Sequence, residues 1–305
     1  MIYVMLPGMM NNGGHKVGAQ WVRLLLDHGH EALLANTNGD PCQDFWDFTV
    51  PVCSFAEVID SSDNVIVWNW GDDLRKRMFH HAKQYYYAQD CCQPHYPGND
   101  FFMPLIKGLR MITIGHHSEW FYRYTQGIGV VGVVNNFVDQ NVFKYDVNKH
   151  LDSRAFNVCM MEHREHWNPS FISQIQNLGF NLIVAKGTQA QVAEAINKSA
   201  YFVSFAEGVQ TPHGKIEGFP LPTAEAMAAG CITLAMDNGG NTEYLLDSVN
   251  GFFHTGVESA VEIIRQLMLD SSDRKSFIAE NAYRTFKHRF NKERTYSQIK
   301  KALSL

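Results

Sequence analysis

The chain has 305 residues, 45% of them hydrophobic and 19% charged, with a formal net charge of −5 at pH 7. That is ordinary globular material, long enough for two domains with separate cores, and it excludes a disordered or fibrous chain. The acidic balance argues against a nucleic-acid footprint, and no apolar run approaches the roughly eighteen residues of a membrane span.

Residues 2–6 read as a buried strand, and Gly13-Gly14 opens a helix carrying Val17, Trp21, Leu24, Leu25 and His28 at helical spacing. Gly29 closes that helix, and 31–35 is the next strand. Residues 65–70 form another strand, followed by a helix from about 72 to 83 and a strand over 85–88 ending at Gln89-Asp90. Strands at 111–114 and 129–134 finish the first half. The second half repeats the pattern, with strands at 156–161, 181–185, 201–205, 232–236 and 251–254 and helices between them. Two helices at about 257–269 and 273–286 follow, then a last one at 292–303. Strand–helix units of this length imply mostly parallel, doubly wound sheets. The polar stretch 146–152 reads as the linker between two α/β halves: 1–145 and 152–285, with 286–305 a C-terminal helix that packs back on the first half. Two such domains facing each other make a cleft, with ligands at the C-terminal ends of the strands.

Residues 1–8 lack the basic flank of a signal peptide and read as a strand entering a glycine loop. The six cysteines, at 42, 53, 91, 92, 159 and 231, include no C-x-x-C pair, and Cys91 and Cys92 are adjacent, which disfavours a disulfide between them. Small buried hydrophobes in a reducing compartment are expected, hence a cytoplasmic protein. The fourteen histidines join no Cys/Asp/Glu set with metal spacing, and no Asp-x-Asp pair occurs, so neither metal nor cofactor is expected.

The richest stretch is Glu217-Gly218-Phe219-Pro220-Leu221-Pro222-Thr223-Ala224-Glu225, running on to Ala229-Gly230 and, after an apolar run, to Gly239-Gly240-Asn241-Thr242-Glu243. Prolines near a first helical turn start a helix well. The first-turn N–H groups lack intrahelical partners and carry the positive end of the dipole, so they form an anion site. One acid before the helix and one upon it suit a nucleotide sugar: one carboxylate for ribose, the other for the sugar, amides for phosphate.

This arrangement closely resembles the donor-binding pattern of retaining glycosyltransferases of the large family four, which have the GT-B fold. Their pattern is E-G-F-G-L-P-x-x-E-A-M-A-x-G, then a strand, a Gly-Gly turn and a Glu; the departure here is Pro220, where the family more often has Gly. The resemblance implies a GT-B protein of two Rossmann-like domains, transferring a hexose from a nucleoside-diphosphate sugar without metal. The partners it implies are that donor and a saccharide or other small-molecule acceptor, with no nucleic acid and no membrane span; peripheral contact with a membrane stays open. Glu225 would bind the ribose hydroxyls and Glu217 the reacting face of the sugar. The backbone of Gly218, Phe219, Pro220 and Leu221 would hold sugar or phosphate.

The loop 7–15, with Gly13 and Gly14, resembles the family's Gly-Gly turn near the donor diphosphate and acceptor. The run from Tyr85 to Pro97 resembles the Q-D-x-x-x-x-x-Y-P segment of a rhamnosyltransferase-like branch. Many members have His-Asp at that strand end; here Gln89 replaces the histidine, and Asp90 would touch donor sugar or acceptor. Residues 133–143 resemble the connection between the domains. The family normally places an Arg and a Lys after the first strand of the second domain. Arg164 is the match, and Lys215 or Lys186 stands in for the missing Lys. The loop 206–216 is longer than usual and is expected to order over the donor. Two alternatives remain: a nucleotide-sugar epimerase of the same fold, and a non-catalytic nucleotide- or sugar-binding relative.

Overall fold

The computed structural model describes residues 1–8, 13–41, 46, 48–69, 79–89, 109–163, 167–211 and 214–305, with only the backbone described for 209–211 and 214–215. The chain divides into two compact units. The first comprises Met1–Asn136, Gln210–Gly214 and Lys292–Leu305, and the second Phe137–Val209 and Lys215–Asn291.

In the first unit the elements run β1 (Ile2–Met5), α1 (Gly13–Asp27), β2 (Ala32–Asn36), β3 (Val52–Ser54), β4 (Val65–Trp68), β5 (Lys83–Ala88), β6 (Arg110–Thr113), α2 (His116–Trp120) and β7 (Val130–Val133). Helix α2 runs directly into a π-helical turn at Phe121–Thr125. The strands form one sheet in the order β3-β2-β1-β4-β5-β6-β7, every pair parallel. Parallel strands covered on both faces need continuous apolar runs, and β1 and β4 are buried at every position. Helix α1 sets Val17, Trp21, Leu24 and Leu25 into this core along one stripe.

The second unit begins its sheet with β8 (Asn157–Met161), then α3 (Pro169–Asn177), β9 (Asn181–Ala185), α4 (Gln189–Asn197) and β10 (Tyr201–Ser204). Strands β11 (Val209–Thr211) and β12 (Gly214–Ile216) form a two-stranded sheet of their own, with 210–214 counted in the first unit; then come α5 (Leu221–Ala228), β13 (Ile232–Ala235), β14 (Phe252–Phe253), α6 (Val257–Leu269) and α7 (Ser272–Arg289). The sheet order is β14-β13-β10-β8-β9, again parallel. Chain order reverses at β8, with β9 on one side and β10 on the other, so the topological switch point lies between β8 and β10. The last helix, α8 (Lys292–Leu303), belongs to the first unit. Tyr296 fixes it there: its ring stacks on His28 with centroids 3.5 Å apart, and its hydroxyl meets His30 Nε2 at 2.8 Å.

Four sequence expectations meet a different outcome. The helix expected over 72–83 does not reach 83, which begins β5. Asp60 accepts the backbone N–H groups of His80, His81 and Ala82 at 2.7, 2.9 and 2.8 Å, holding them in a turn. The part from 72 to 78 lies outside the described residues. Strand β3 was not expected, because three half-buried residues carry no period to read. The loop 206–216 contains the β11–β12 pair. The polar stretch 146–152 is no open linker: it holds one 3-10 turn, Val147–His150, and leads into another, Ser153–Phe156, each capped by an aspartate side chain. Lys149 there is fully buried, its Nζ donating to the Ala229 carbonyl at 2.8 Å, at the C-terminal end of α5.

Candidate functional site

Strand β12 delivers Glu217 to the C-terminal edge of the second sheet. Its N–H donates to the Asn238 carbonyl at 2.8 Å, and it bridges to Gly239. The Gly-Gly turn lies so close that a Cβ on Gly240 would sit 2.4 Å from the carbonyl oxygens of both Glu217 and Gly218. Gly239 adopts φ 81°, in the left-handed region. Two buried asparagines shape the turn. Asn238 and Asn241 each accept the other's backbone N–H at 3.3 Å, and Asn241 Nδ2 donates to the Met236 carbonyl at 2.6 Å.

From this joint the chain enters α5. Pro220 is its N-cap, Pro222 lies in the first turn, and no side chain caps it. The first-turn amides therefore keep their anion-binding character. The Gly218 N–H faces the Glu217 carboxylate, 3.2 Å from Oε1. Pro220 differs from the sequence expectation of a backbone contact: it has no N–H, and its carbonyl accepts from Tyr244 Oη at 2.9 Å and from the Ala224 N–H at 3.1 Å. It shapes the turn instead. Glu225, one turn into the helix, is only 6% exposed.

Tyr244 ties the pieces together. Burial pushes its phenol well above the usual range, the Glu217 carboxylate adds to this, a bond with the Thr223 hydroxyl opposes it, and Glu225 raises it further. The hydroxyl thus lies within the fields of both acids.

Beside this joint is a cavity of about 470 Å³, lined by Trp167 and Asn168 before α3, by Phe205, Glu207 and Gly208 after β10, by Met236 after β13, and by Thr255–Val257 entering α6. It opens at the switch point between β8 and β10, where doubly wound sheets take ligands. Phe205 is wedged between Phe171 and His254, with centroids 5.3 and 4.8 Å away. Burial lowers the pKa of His254, partly offset by its Nε2 lying 2.9 Å from the Ser204 carbonyl.

In the first unit the structure brings Gly13, Gly14 and Gln89 together at the C-terminal ends of β4 and β5. The Gly14 carbonyl accepts from Gln89 Nε2 and from Asn69 Nδ2, both at 3.1 Å, and Gln89 also donates to Asn69 Oδ1. His15, fully buried, is held below its ordinary pKa by desolvation, which a bond with the Gly8 backbone partly offsets. Asp90 and Arg164 lie outside the described residues, and Lys215 is described only as backbone within β12. Lys186 follows β9 and pairs with Glu162 at 3.1 Å on the surface.

Sequence reasoning missed Tyr244, Asn238, Asn241 and Asn69. The signals available were an aromatic directly after Glu243, two asparagines bracketing the Gly-Gly pair, and an amide at the end of a fully buried strand.

Residues 165–285 match the family model described as glycosyl transferases group 1. The protein is a glycosyltransferase. The match takes in the Glu217 joint, α5 and the Gly-Gly turn, and the chain outside it is characterised by its fold. Among solved structures, the Anabaena protein HepE in complex with UDP and glucose has a TM-score of 0.73 and 16% identity, covering 99% of each chain. A glycosyltransferase from Rickettsia africae gives 0.68 and 12%, covering 99% of this chain and 98% of that one. Sucrose-phosphate synthase from Thermosynechococcus elongatus gives 0.67 and 12%, covering 98% and 96%. At such identities the likeness is one of fold: this glycosyltransferase has the GT-B architecture of two Rossmann-like units. No curated protein matches the chain.

Proposed function

We propose that this glycosyltransferase is a retaining enzyme of the family-four type that moves a hexose from a nucleoside-diphosphate sugar to a saccharide or other small acceptor, without a metal. The observation that carries this reading is the joint at Glu217: the acid, the open N-terminus of α5 and buried Glu225 meet around one phenol. HepE, which shares the fold, has been solved with UDP-glucose as well as with UDP.

In this reading Glu225 accepts the ribose hydroxyls, and the amides of Gly218, Phe219 and Leu221 face phosphate or sugar. Departure of the diphosphate builds negative charge there and positive charge on the sugar carbon. The helix N-terminus, Arg164 and Lys215 stabilise the first, and Glu217, on the reacting face, stabilises the second more strongly in the transition state than in the ground state. Retention follows from same-face attack or a short-lived ion pair. Gly13, Gly14, Gln89 and Asp90 belong to the acceptor-side unit, and the protein works in the cytoplasm.

The test is incubation with a panel of nucleoside-diphosphate sugars and saccharide acceptors in excess chelator. Acceptor-dependent release of the diphosphate is expected, with the donor's anomeric configuration kept in the product, as read from proton couplings. Donor conversion without acceptor would instead indicate an epimerase, binding without turnover a non-catalytic relative, and metal-reversible loss in chelator a missed ion.

A further inference from the structure

Tyr244 has the placement of a residue that acts on the site through others. It is 1% exposed, and its ring packs among Phe219, Phe286 and Phe290 at centroid distances of 5.0, 5.4 and 6.1 Å. Its backbone is pinned on both sides: the N–H donates to the Asn241 carbonyl at 3.1 Å, and the carbonyl accepts from Asn250 Nδ2 at 2.8 Å. Asn250 Nδ2 also reaches Thr285 Oγ1 at 3.1 Å, which anchors this corner to α7. The ring is therefore fixed, and so is the place where its hydroxyl ends.

A buried phenol needs an acceptor. The one it takes is the Pro220 carbonyl at 2.9 Å, at the residue where the loop becomes helix. Glu217 lies three residues before that point and Glu225 five after it. We propose that Tyr244 is a positioning residue for glycosyl transfer: by holding the Pro220 carbonyl it fixes how the Glu217 turn sits relative to Glu225 and the first-turn amides of α5. The proposal rests on the functional reading above. It also ties the Gly-Gly turn to the acid-bearing loop: Tyr244 follows the turn in sequence and grips the loop in space.

The test is Tyr244→Phe, which keeps the ring among its phenylalanines and removes only the hydroxyl. The turnover number is expected to fall about tenfold, an effect of one hydrogen bond's size on the barrier, with the donor KM within a few-fold of wild type. Amide hydrogen exchange over 217–224 should accelerate while that of β10 and β13 stays as in wild type. Tyr244→Leu, which also breaks the ring cluster, should lower the melting temperature much more than Tyr244→Phe does. A Tyr244→Phe protein with wild-type turnover and wild-type exchange over 217–224 would reduce Tyr244 to a core side chain and overturn the proposal. If the wild-type enzyme transfers no sugar from any donor, the functional reading has failed; the exchange measurement then decides alone whether Tyr244 holds the joint.

Discussion

A methyl group on Gly240 would collide with two carbonyl oxygens at 2.4 Å, and backbone cannot yield as a flexible side chain does. Gly240→Ala is therefore expected to push the Glu217 loop off the turn and cost roughly 1–3 kcal/mol of stability, as overpacking does. Urea denaturation checks this, and an unchanged midpoint would show that the two segments are not in contact. Glu217 itself is expected to act through charge: Glu217→Gln should lower single-turnover transfer strongly while leaving nucleoside-diphosphate affinity nearly unchanged. A destabilised variant with wild-type turnover would remove Glu217 from the chemistry. At this scale the sequence showed both acids and both glycines, because their spacing is local. It did not show Tyr244 meeting Pro220, twenty-four positions apart, or the reciprocal asparagine bonds, since through-space partners leave no spacing to read.

Among the elements, the long apolar runs were legible: β1, β4, β10 and β13 are buried at every position, as parallel strands beneath two layers of helix must be. Elements of three residues, such as β3, β11 and β12, were not, and at 80–82 the Asp60 carboxylate overrode a helical pattern. The junction of α1 with the ends of β4 and β5 gives a prediction of its own. Asn69 and Gln89 both donate to the Gly14 carbonyl. Asn69→Ala should destabilise the first unit by about 1–3 kcal/mol, through polar groups left unpaired. Because Gln89 shares the same acceptor, the Asn69→Ala/Gln89→Ala double variant should depart from the sum of the singles. Strict additivity in denaturation experiments would show the two amides acting independently.

At the scale of the molecule, three histidines buried among the described residues, in two units, contribute to the response to acid. His15, His150 and His254 all have lowered pKa values through burial, His150 to about 4, where a bond to the Gly230 carbonyl only partly offsets the desolvation. Above the ordinary value of 6.5 the folded and unfolded states are both neutral and nothing is lost. Below it the unfolded chain takes up protons that folded His150 refuses until about pH 4, so stability drains away between those limits, by up to about 3 kcal/mol for this residue. The melting temperature should fall from pH 7 to pH 4.5, and less steeply in His150→Asn. An equal slope in the two proteins would place His150 outside the acid response. Two α/β units were readable from the alternation of strands and helices, but their division between Asn136 and Phe137 rests on contacts that no local pattern reports.

The proposed function requires that buried Glu225, on α5, holds the ribose of a nucleoside-diphosphate donor. Calorimetric titration of uridine, guanosine, adenosine and thymidine diphosphates into wild type and Glu225→Ala, in excess chelator, tests it most directly. At least one diphosphate is expected to bind the wild type, and the substitution to weaken that binding by about 1–3 kcal/mol, the worth of a charged hydrogen bond. Equal affinity of the two proteins for every diphosphate would contradict it.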